Sequence, residues 1–243
     1  MLSIYFKELR SFFSSIVGYV VLLVFLVACG LFLWVMPDTS MLDYGYASLE
    51  QFFNLAPWLL LFLIPAITMR SFADEFKGGT IEWLFTKPLK TSHIILGKFL
   101  ASFTLVCVAL LPTLLYVLSI HYLAMDDAAL DAGGITGSYI GLLFLAAAFT
   151  AIGIFSSSLT DNQIVSFLLS LFICFLLYSG FEALSRVAAF RGGADYYLGM
   201  IGMDDHYNSI SRGVIDSRDV VYFLSLITLF MALTRFILNK KKA

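Results

Sequence analysis

The chain has 243 residues, of which 60% are hydrophobic and 13% are charged, and its mean hydropathy is +0.90. This composition excludes an ordinary water-soluble domain, and a formal net charge of −2 gives no reason to expect a nucleic-acid partner. The polar segments between the apolar ones are at most about 40 residues long, too short for a core of their own. We therefore expect residues 1–243 to form one domain whose solvent is membrane lipid.

The N-terminal segment carries apolar residues at helical spacing. Leu2, Phe6, Leu9 and Phe13 lie at i, i+4, i+7 and i+11, with polar residues between them. This pattern predicts an amphipathic helix on the inner membrane surface; the alternative is a plain cytoplasmic extension of the first span. The apolar run that follows is about 20 residues long and is not followed by a small-residue cleavage site, so we expect it to stay attached.

Six stretches are long and apolar enough to cross the bilayer as helices, a crossing that needs roughly 20 residues. They cover about residues 16–36, 52–69, 99–124, 139–159, 164–181 and 220–238. Because strand alternation is absent and lipid offers the backbone no hydrogen bonds, the predicted fold class is all-α, a polytopic membrane protein with six transmembrane helices. Asn54, Pro57 and Pro65 interrupt the second stretch and predict a break or kink, either a tolerated kink or a functional hinge.

Basic residues indicate the orientation of the spans. With an even number of spans both termini lie on one side, and that side holds 11 of the 15 Lys and Arg residues. The positive-inside rule therefore predicts that both termini are cytoplasmic. The same topology places residues 70–98 and 160–163 inside, and residues 37–51, 125–138 and 182–219 outside.

Motifs for catalysis and for an internal ion path are missing from the sequence. There is no GxxxxGK[ST] loop, no HExxH pair and no GxSxG elbow. Cys29, Cys107 and Cys174 lie in predicted spans without pairing spacing, so we infer no disulfide and no metal site. The centres of the spans contain no Asp, Glu, Lys or Arg, the residues that mark ion paths, and Lys98 and Glu182 are expected to reach headgroups from span ends. We expect no enzymatic activity and no cofactor on this chain, and an energy source outside it.

The inner loop between the second and third spans predicts one short helix. Gly78 and Gly79 permit a sharp turn, Thr80 is a candidate N-cap and Pro88 ends the helix. Glu82 lies in the first turn, where an acidic residue is favourable. The predicted helix, residues 80–86, exposes four apolar side chains, those of Ile81, Trp83, Leu84 and Phe85. Two helical turns are not stable alone in water, which points to a soluble partner with a groove.

This loop resembles a family motif. Residues 74–89, DEFKGGTIEWLFTKPL, followed by Gly97 and Lys98, resemble the E-x-x-x-G-T-x-E-x-L-x-x-x-P-L…G-K motif of ABC-2 type ABC transporter permeases. Segments 7–13, 159–164 and 211–220 match as well. Together they look most like the permease subunit of the gliding-motility-associated ABC transporter, with the nitrous-oxide-reductase maturation permease as a relative.

The resemblance implies that residues 74–86 hold a coupling helix that docks into a separate ATPase subunit. The residues assigned to this contact are Phe76, Lys77, Gly78, Gly79, Thr80, Ile81, Glu82, Trp83 and Leu84. Ile81, Trp83 and Leu84 would form its apolar part, and Lys77 and Glu82 its charged rim. Alternatively, Trp83 merely anchors the loop at the membrane interface. Thr160 and Asp161 would form a second, smaller cytoplasmic contact, or only cap the fifth span.

The resemblance also implies an assembly: two cytoplasmic ATPase subunits that carry ATP and Mg, and a second permease, distinct from this chain, in a heterodimer. It implies a bacterial inner membrane location and export as the direction of transport. The sequence does not identify the cargo. A competing hypothesis is a non-transporting membrane anchor or scaffold that uses the ATPase to remodel an envelope complex.

The outer segment 182–219 would, by the same resemblance, contain short helices that close the outer side of the path. We expect the apolar run 196–203 to dip into the outer leaflet while Asp204 and Asp205 return to water. The alternative is a docking surface for an outer partner protein. Asp216 or Ser217 is expected to cap the last helix.

Overall fold

The computed structural model describes residues 1–37, 48–86, 89–123, 131–187 and 194–242, except the side chains of residues 194–196 and 198. The regular secondary structure in these ranges is helical. We number the α-helices in chain order: α1 Leu2–Phe13, α2 Ile16–Trp34, α3 Glu50–Thr68, α4 Arg70–Lys77, α5 Thr80–Thr86, α6 Thr91–Leu110, α7 Leu114–Leu123, α8 Ala132–Leu159, α9 Gln163–Phe175, α10 Phe181–Ser185, α11 Ala194–Ile201, α12 Met203–Ser211 and α13 Ser217–Lys242.

Six helical segments in the described ranges are long and apolar enough to cross a membrane, which confirms the predicted fold class. They are Ile16–Trp34, Glu50–Lys77, Thr91–Leu123, Ala132–Leu159, Gln163–Ser185 and Ser217–Lys242. Most are longer than predicted, because a hydropathy window ends at the first polar residues while the backbone stays helical. A short 3-10 turn, Leu111–Thr113, joins α6 to α7, and a π-helical stretch, Leu176–Gly180, joins α9 to α10.

The second span runs as one helix through the prolines that were predicted to interrupt it. Pro57 and Pro65 both lie inside α3. The boundary with α4 falls at Met69, whose backbone remains right-handed helical with φ −53° and ψ −30°. The hinge interpretation of these prolines stays a prediction.

The helix at the centre of the fold is α8. It packs against α3, α6, α9, α12 and α13, and Leu142, Leu145 and Ile152 are completely buried. Gly141 allows close approach of α12, since a Cβ there would lie 3.1 Å from the Tyr207 ring. Small residues let membrane helices pack closely in this way. The Tyr207 hydroxyl donates a hydrogen bond to the Phe53 carbonyl at 2.9 Å, which links α12 to α3.

The N-terminal helix is separate from the first span. Ser15 has an extended backbone, φ −98° and ψ 131°, between α1 and α2, so α1 is not a plain extension of the span. Ile4 is buried against α6, and the Tyr5 hydroxyl lies 3.2 Å from the Thr104 hydroxyl. Leu2 and Phe6, on the apolar face predicted to meet lipid, remain exposed.

Among the described side chains of the outer segment, two differ from the prediction; those of Tyr196 and Leu198 lie outside the described residues. Met203 is completely buried in the protein and does not extend into lipid. Asp205 is exposed as expected, but Asp204 is half-buried beside Tyr178 and Glu182. Desolvation, followed by the neighbouring Glu182 charge, raises the pKa of Asp204 to about 6. The cap of α13 is as predicted: Asp216 Oδ1 accepts a hydrogen bond from the Arg218 amide at 2.9 Å.

Candidate functional site

The helix pair α4 and α5 forms an elbow, of which the sequence predicted the turn and the second helix but not α4. The two helices meet at Gly78 and Gly79, and Gly79 has φ +65°, a left-handed conformation that favours glycine. Helix α5 spans Thr80–Thr86, the predicted bounds. The Thr80 hydroxyl donates to the Glu75 carbonyl at 3.5 Å, so it ties α5 to α4 and does not act as the predicted cap. Pro88, the predicted stop, lies outside the described residues.

The predicted contact residues divide by exposure. Six of them are exposed: Lys77, Gly78, Gly79, Thr80, Glu82 and Trp83. Two are half-buried, Phe76 and Leu84, and one, Ile81, is buried. Ile81 was predicted to be exposed, and this prediction was wrong, because the side chain packs into the protein's own cluster with Phe72 and Ile94. Trp83 has 77% of its surface exposed. The outward surface of the elbow therefore consists of Trp83, Glu82 and the exposed turn before them.

A serine of α8 fixes the start of α4. Ser157 Oγ accepts hydrogen bonds from the amides of Phe72, at 2.9 Å, and Ala73, at 3.1 Å. The same hydroxyl donates to the Met69 carbonyl at 3.0 Å. First-turn amides of a helix have no partner within that helix, so Ser157 caps α4 from another part of the chain. The elbow is thereby attached to the central helix.

A buried ion cluster joins α4 to α1 and α6. Lys98 is 1% exposed, and its Nζ lies 2.8 Å from Glu8 Oε1, 3.0 Å from Glu75 Oε1 and 2.5 Å from the Ser71 carbonyl. Lys7 Nζ also contacts Glu75, at 2.9 Å. Lys98 was predicted to reach headgroups, and this prediction was wrong, because two carboxylates from other helices neutralise it inside the protein. A buried lysine without such partners would be strongly unfavourable.

The C-terminal end of α13 braces the elbow. Lys241 Nζ lies 3.7 Å from the centroid of the Phe76 ring and donates to the Ser158 carbonyl at 3.0 Å. Lys242 Nζ lies 5.8 Å from the Phe85 ring centroid. These cation–π contacts place two basic residues of α13 on α4 and α5.

The turn between α8 and α9 lies beside α4. The Gln163 side chain donates to Asp74, so the two predicted cytoplasmic contacts are neighbours. Asp161 is exposed and Thr160 is half-buried. Neither caps α9 as predicted: Asn162 does, by accepting a hydrogen bond from the Ile164 amide at 2.9 Å.

Comparison with known proteins decides the family. A family model described as ABC-2 family transporter protein matches residues 35–242, most of the chain. The chain belongs to the ABC-2 transporter family. It is the membrane permease component of an ABC-2 type transporter and a multi-pass membrane protein. ABC-2 permeases lack ATPase catalytic domains and generally pair with ABC ATPase subunits. A search of the curated proteins finds no match.

Three residues that position the elbow of the ABC-2 permease could not be identified from its sequence. Ser157 stands in the run Ser156–Ser158 inside an apolar span, where serines have no periodic signal. Lys98 follows the motif glycine, but nothing in the sequence pairs it with Glu8 or Glu75. Lys241 is one of three consecutive lysines, a pattern that indicates only the cytoplasmic side.

Proposed function

We propose that the α4–α5 elbow is the coupling element of this permease and that the cytoplasmic ATPase binds the surface made by Lys77, Glu82 and Trp83. The observation that carries the proposal is the exposure of Trp83 on a short helix whose other side is packed into the protein. A large exposed aromatic side chain on a two-turn helix suits insertion into a groove. Ile81 then stabilises the elbow from within, and Leu84, which is half-buried, borders the contact.

Movement of the elbow would reach most of the fold through specific contacts. The Lys98 cluster joins α4 to α1 and α6, and Ser157 joins it to α8. Lys241 joins it to α13. Because α8 is the central helix, a displacement of α4 by the ATPase would be transmitted to the spans that pack on it. Packed side chains, salt bridges and hydrogen bonds between helices can carry a displacement of one helix to its neighbours.

The turn at Thr160 and Asp161 extends the ATPase contact in this proposal. Asp161 is exposed next to α4, to which Gln163 fixes the turn. A partner seated on the elbow would therefore also meet this turn, which supports a second, smaller contact.

The assembly that we infer contains two ATPase copies, which carry ATP and Mg, and a second permease distinct from this chain. We place it in the inner membrane of a bacterium, with export as its direction. The resemblance of segments 7–13 and 211–220 to gliding-motility permeases supports a role linked to gliding. The family match covers ABC-2 transporters as a whole, so this finer assignment depends on that resemblance.

Co-purification tests the coupling role. Trp83→Ala, alone and with Glu82→Ala, should reduce capture of the ATPase subunit by the permease at subsaturating concentration, since truncating a central interface aromatic costs about 2 kcal/mol or more. Tyr122→Ala is the matched control, because Tyr122 is an equally exposed aromatic residue, 84%, at the other end of the spans. Undiminished ATPase capture by both Trp83 variants would refute the proposal.

Transport and scaffold functions are separated by reconstitution. If the complex exports a substrate, efflux from vesicles should stop when ATP hydrolysis is blocked. If ATP hydrolysis changes the composition or shape of an attached envelope complex without any efflux, the scaffold hypothesis is supported instead.

A further inference from the structure

A cavity of about 180 Å³ lies where the N-terminal helix meets the spans. Its walls come from α1, the start of α2, the end of α3, α4 and α6. A single buried water needs only about 10–15 Å³ of such space, so the cavity is large enough for a group of several non-hydrogen atoms. It is separate from the exposed surface of α5.

The lining is divided between apolar and charged residues. The apolar part of the wall comes from the inner parts of three spans and consists of Val17, Val21, Ile67 and Leu105. The charged part of the wall lies beside α1 and consists of Lys7, Glu8, Arg70, Asp74, Glu75 and Lys98. An apolar wall inside the bilayer next to a charged wall at its inner surface matches the change from acyl chain to headgroup in a phospholipid.

Two polar atoms that belong to lining side chains have almost no accessible surface and no hydrogen-bond partner among the described residues. They are Glu75 Oε2 and Arg70 Nε. Glu75 is 8% exposed, and its Oε1 already accepts from Lys98 and Lys7, so Oε2 is the oxygen of this carboxylate that a bound donor would stabilise. The wall carries three cationic and three anionic side chains, so its formal charges sum to zero. A ligand with no net charge, carrying a donor and an anionic acceptor, would satisfy both atoms once a small rotation of each side chain turns them toward the cavity.

We propose that this cavity binds the headgroup of a zwitterionic phospholipid with a primary ammonium, of the phosphoethanolamine type. The ammonium donates to Glu75, and the phosphate accepts from Arg70 with Lys7 nearby. A choline headgroup has no N–H donor for Glu75, and a glycerol headgroup brings an uncompensated negative charge. The cavity is too small for acyl chains, which lie along Val17, Val20 and Val24, one exposed face of α2 with 40%, 51% and 58% exposure.

Native mass spectrometry of the full-length permease in detergent tests the site, with added phosphatidylethanolamine, phosphatidylcholine or phosphatidylglycerol as probes. Wild type should retain phosphatidylethanolamine in preference to the other two. Arg70→Gln removes one partner without touching the Lys98 cluster and should weaken retention roughly tenfold, the loss of one charge-assisted hydrogen bond. Arg235→Gln, at an exposed arginine of α13, is the matched control and should retain the lipid as wild type does.

A cavity-filling variant guards against loss of folding. Ala66 lines the cavity and is half-buried, so Ala66→Leu fills the space while leaving all charges in place. It should abolish the preference for phosphatidylethanolamine while eluting as a folded protein in size-exclusion chromatography. Equal retention of all three lipids by wild type, or unchanged retention in folded Ala66→Leu, would overturn the proposal. Free O-phosphoethanolamine binding as tightly as the lipid would assign the site to a soluble ligand and overturn the lipid source.

Discussion

The buried ion cluster makes a quantitative prediction about stability. Lys98→Met removes a charge that is 1% exposed and leaves Glu8 and Glu75 facing each other across the α1–α4 contact. Removing one partner of a buried ion pair costs about 3–5 kcal/mol. Two features of the cluster place the expected loss of stability near the lower end of this range. The Glu8 side chain is 21% exposed, so water partly solvates its charge, and Lys7 stays 2.9 Å from Glu75, so that carboxylate keeps one cationic partner.

Unfolding in mixed detergent, followed by circular dichroism, measures this loss as a change in the free energy of unfolding. Lys77→Met is the matched control, because Lys77 is an exposed lysine of α4 and should change the free energy little. A cycle of Lys98→Met, Glu75→Gln and the double variant should give a coupling energy above about 1 kcal/mol, as expected for contacting charges. A Lys98→Met protein as stable as wild type would contradict the cluster.

Three further outcomes are expected from single substitutions. Ser157→Ala should lower the free energy of unfolding by about 0.5–2 kcal/mol through loss of the α4 cap. Ser156→Ala should cost less, because the Ser156 hydroxyl donates to the Ile152 carbonyl of its own helix; equal losses would refute the cap. Lys241→Gln should lower the number of transport events, or of remodelling events, per ATP hydrolysed without reducing capture of the ATPase subunit. Lys240→Gln is the control. The same number of events per ATP in Lys241→Gln as in wild type would exclude the bracing role. The pKa of Asp204 is raised to about 6 in the fold, so the folded state holds this proton more tightly than the unfolded chain, and stability contributed by this group should rise as pH falls from about 6 toward 3.8. Asp204→Asn should remove that rise in the thermal midpoint, and an unaltered pH profile would show that another group causes it.

The helical architecture was predictable because the bilayer simplifies the problem. Each long apolar run in lipid must be a helix, so composition alone indicates the six spans. Helix α5 was predicted with its observed bounds because Gly78 and Gly79 fix the turn before it. Span ends were predicted less well, since α8 begins at Ala132 among small residues that a hydropathy window treats as loop.

The environment of individual side chains could not be predicted from local patterns. Ile81 and Trp83 are both apolar residues of one short helix, but only contacts with distant Phe72 and Ile94 show that Ile81 is internal. Asp204 adjoins Asp205 in sequence, but packing of α12 over Tyr178 leaves Asp204 half-buried and Asp205 exposed. Burial of a charged or aromatic residue depends on tertiary partners far away in the chain.

Contacts within this chain hold the elbow in place. Gly79 sets the direction of α5, Ile81 holds one side of it, and Ser157 and Lys241 fix α4 beneath it. A segment that is already ordered loses little conformational entropy on association, so even a small contact area gives useful affinity. If the ATPase binds at Trp83 as proposed, the same contacts would make the elbow move as one body, with little energy lost in rearranging a loop.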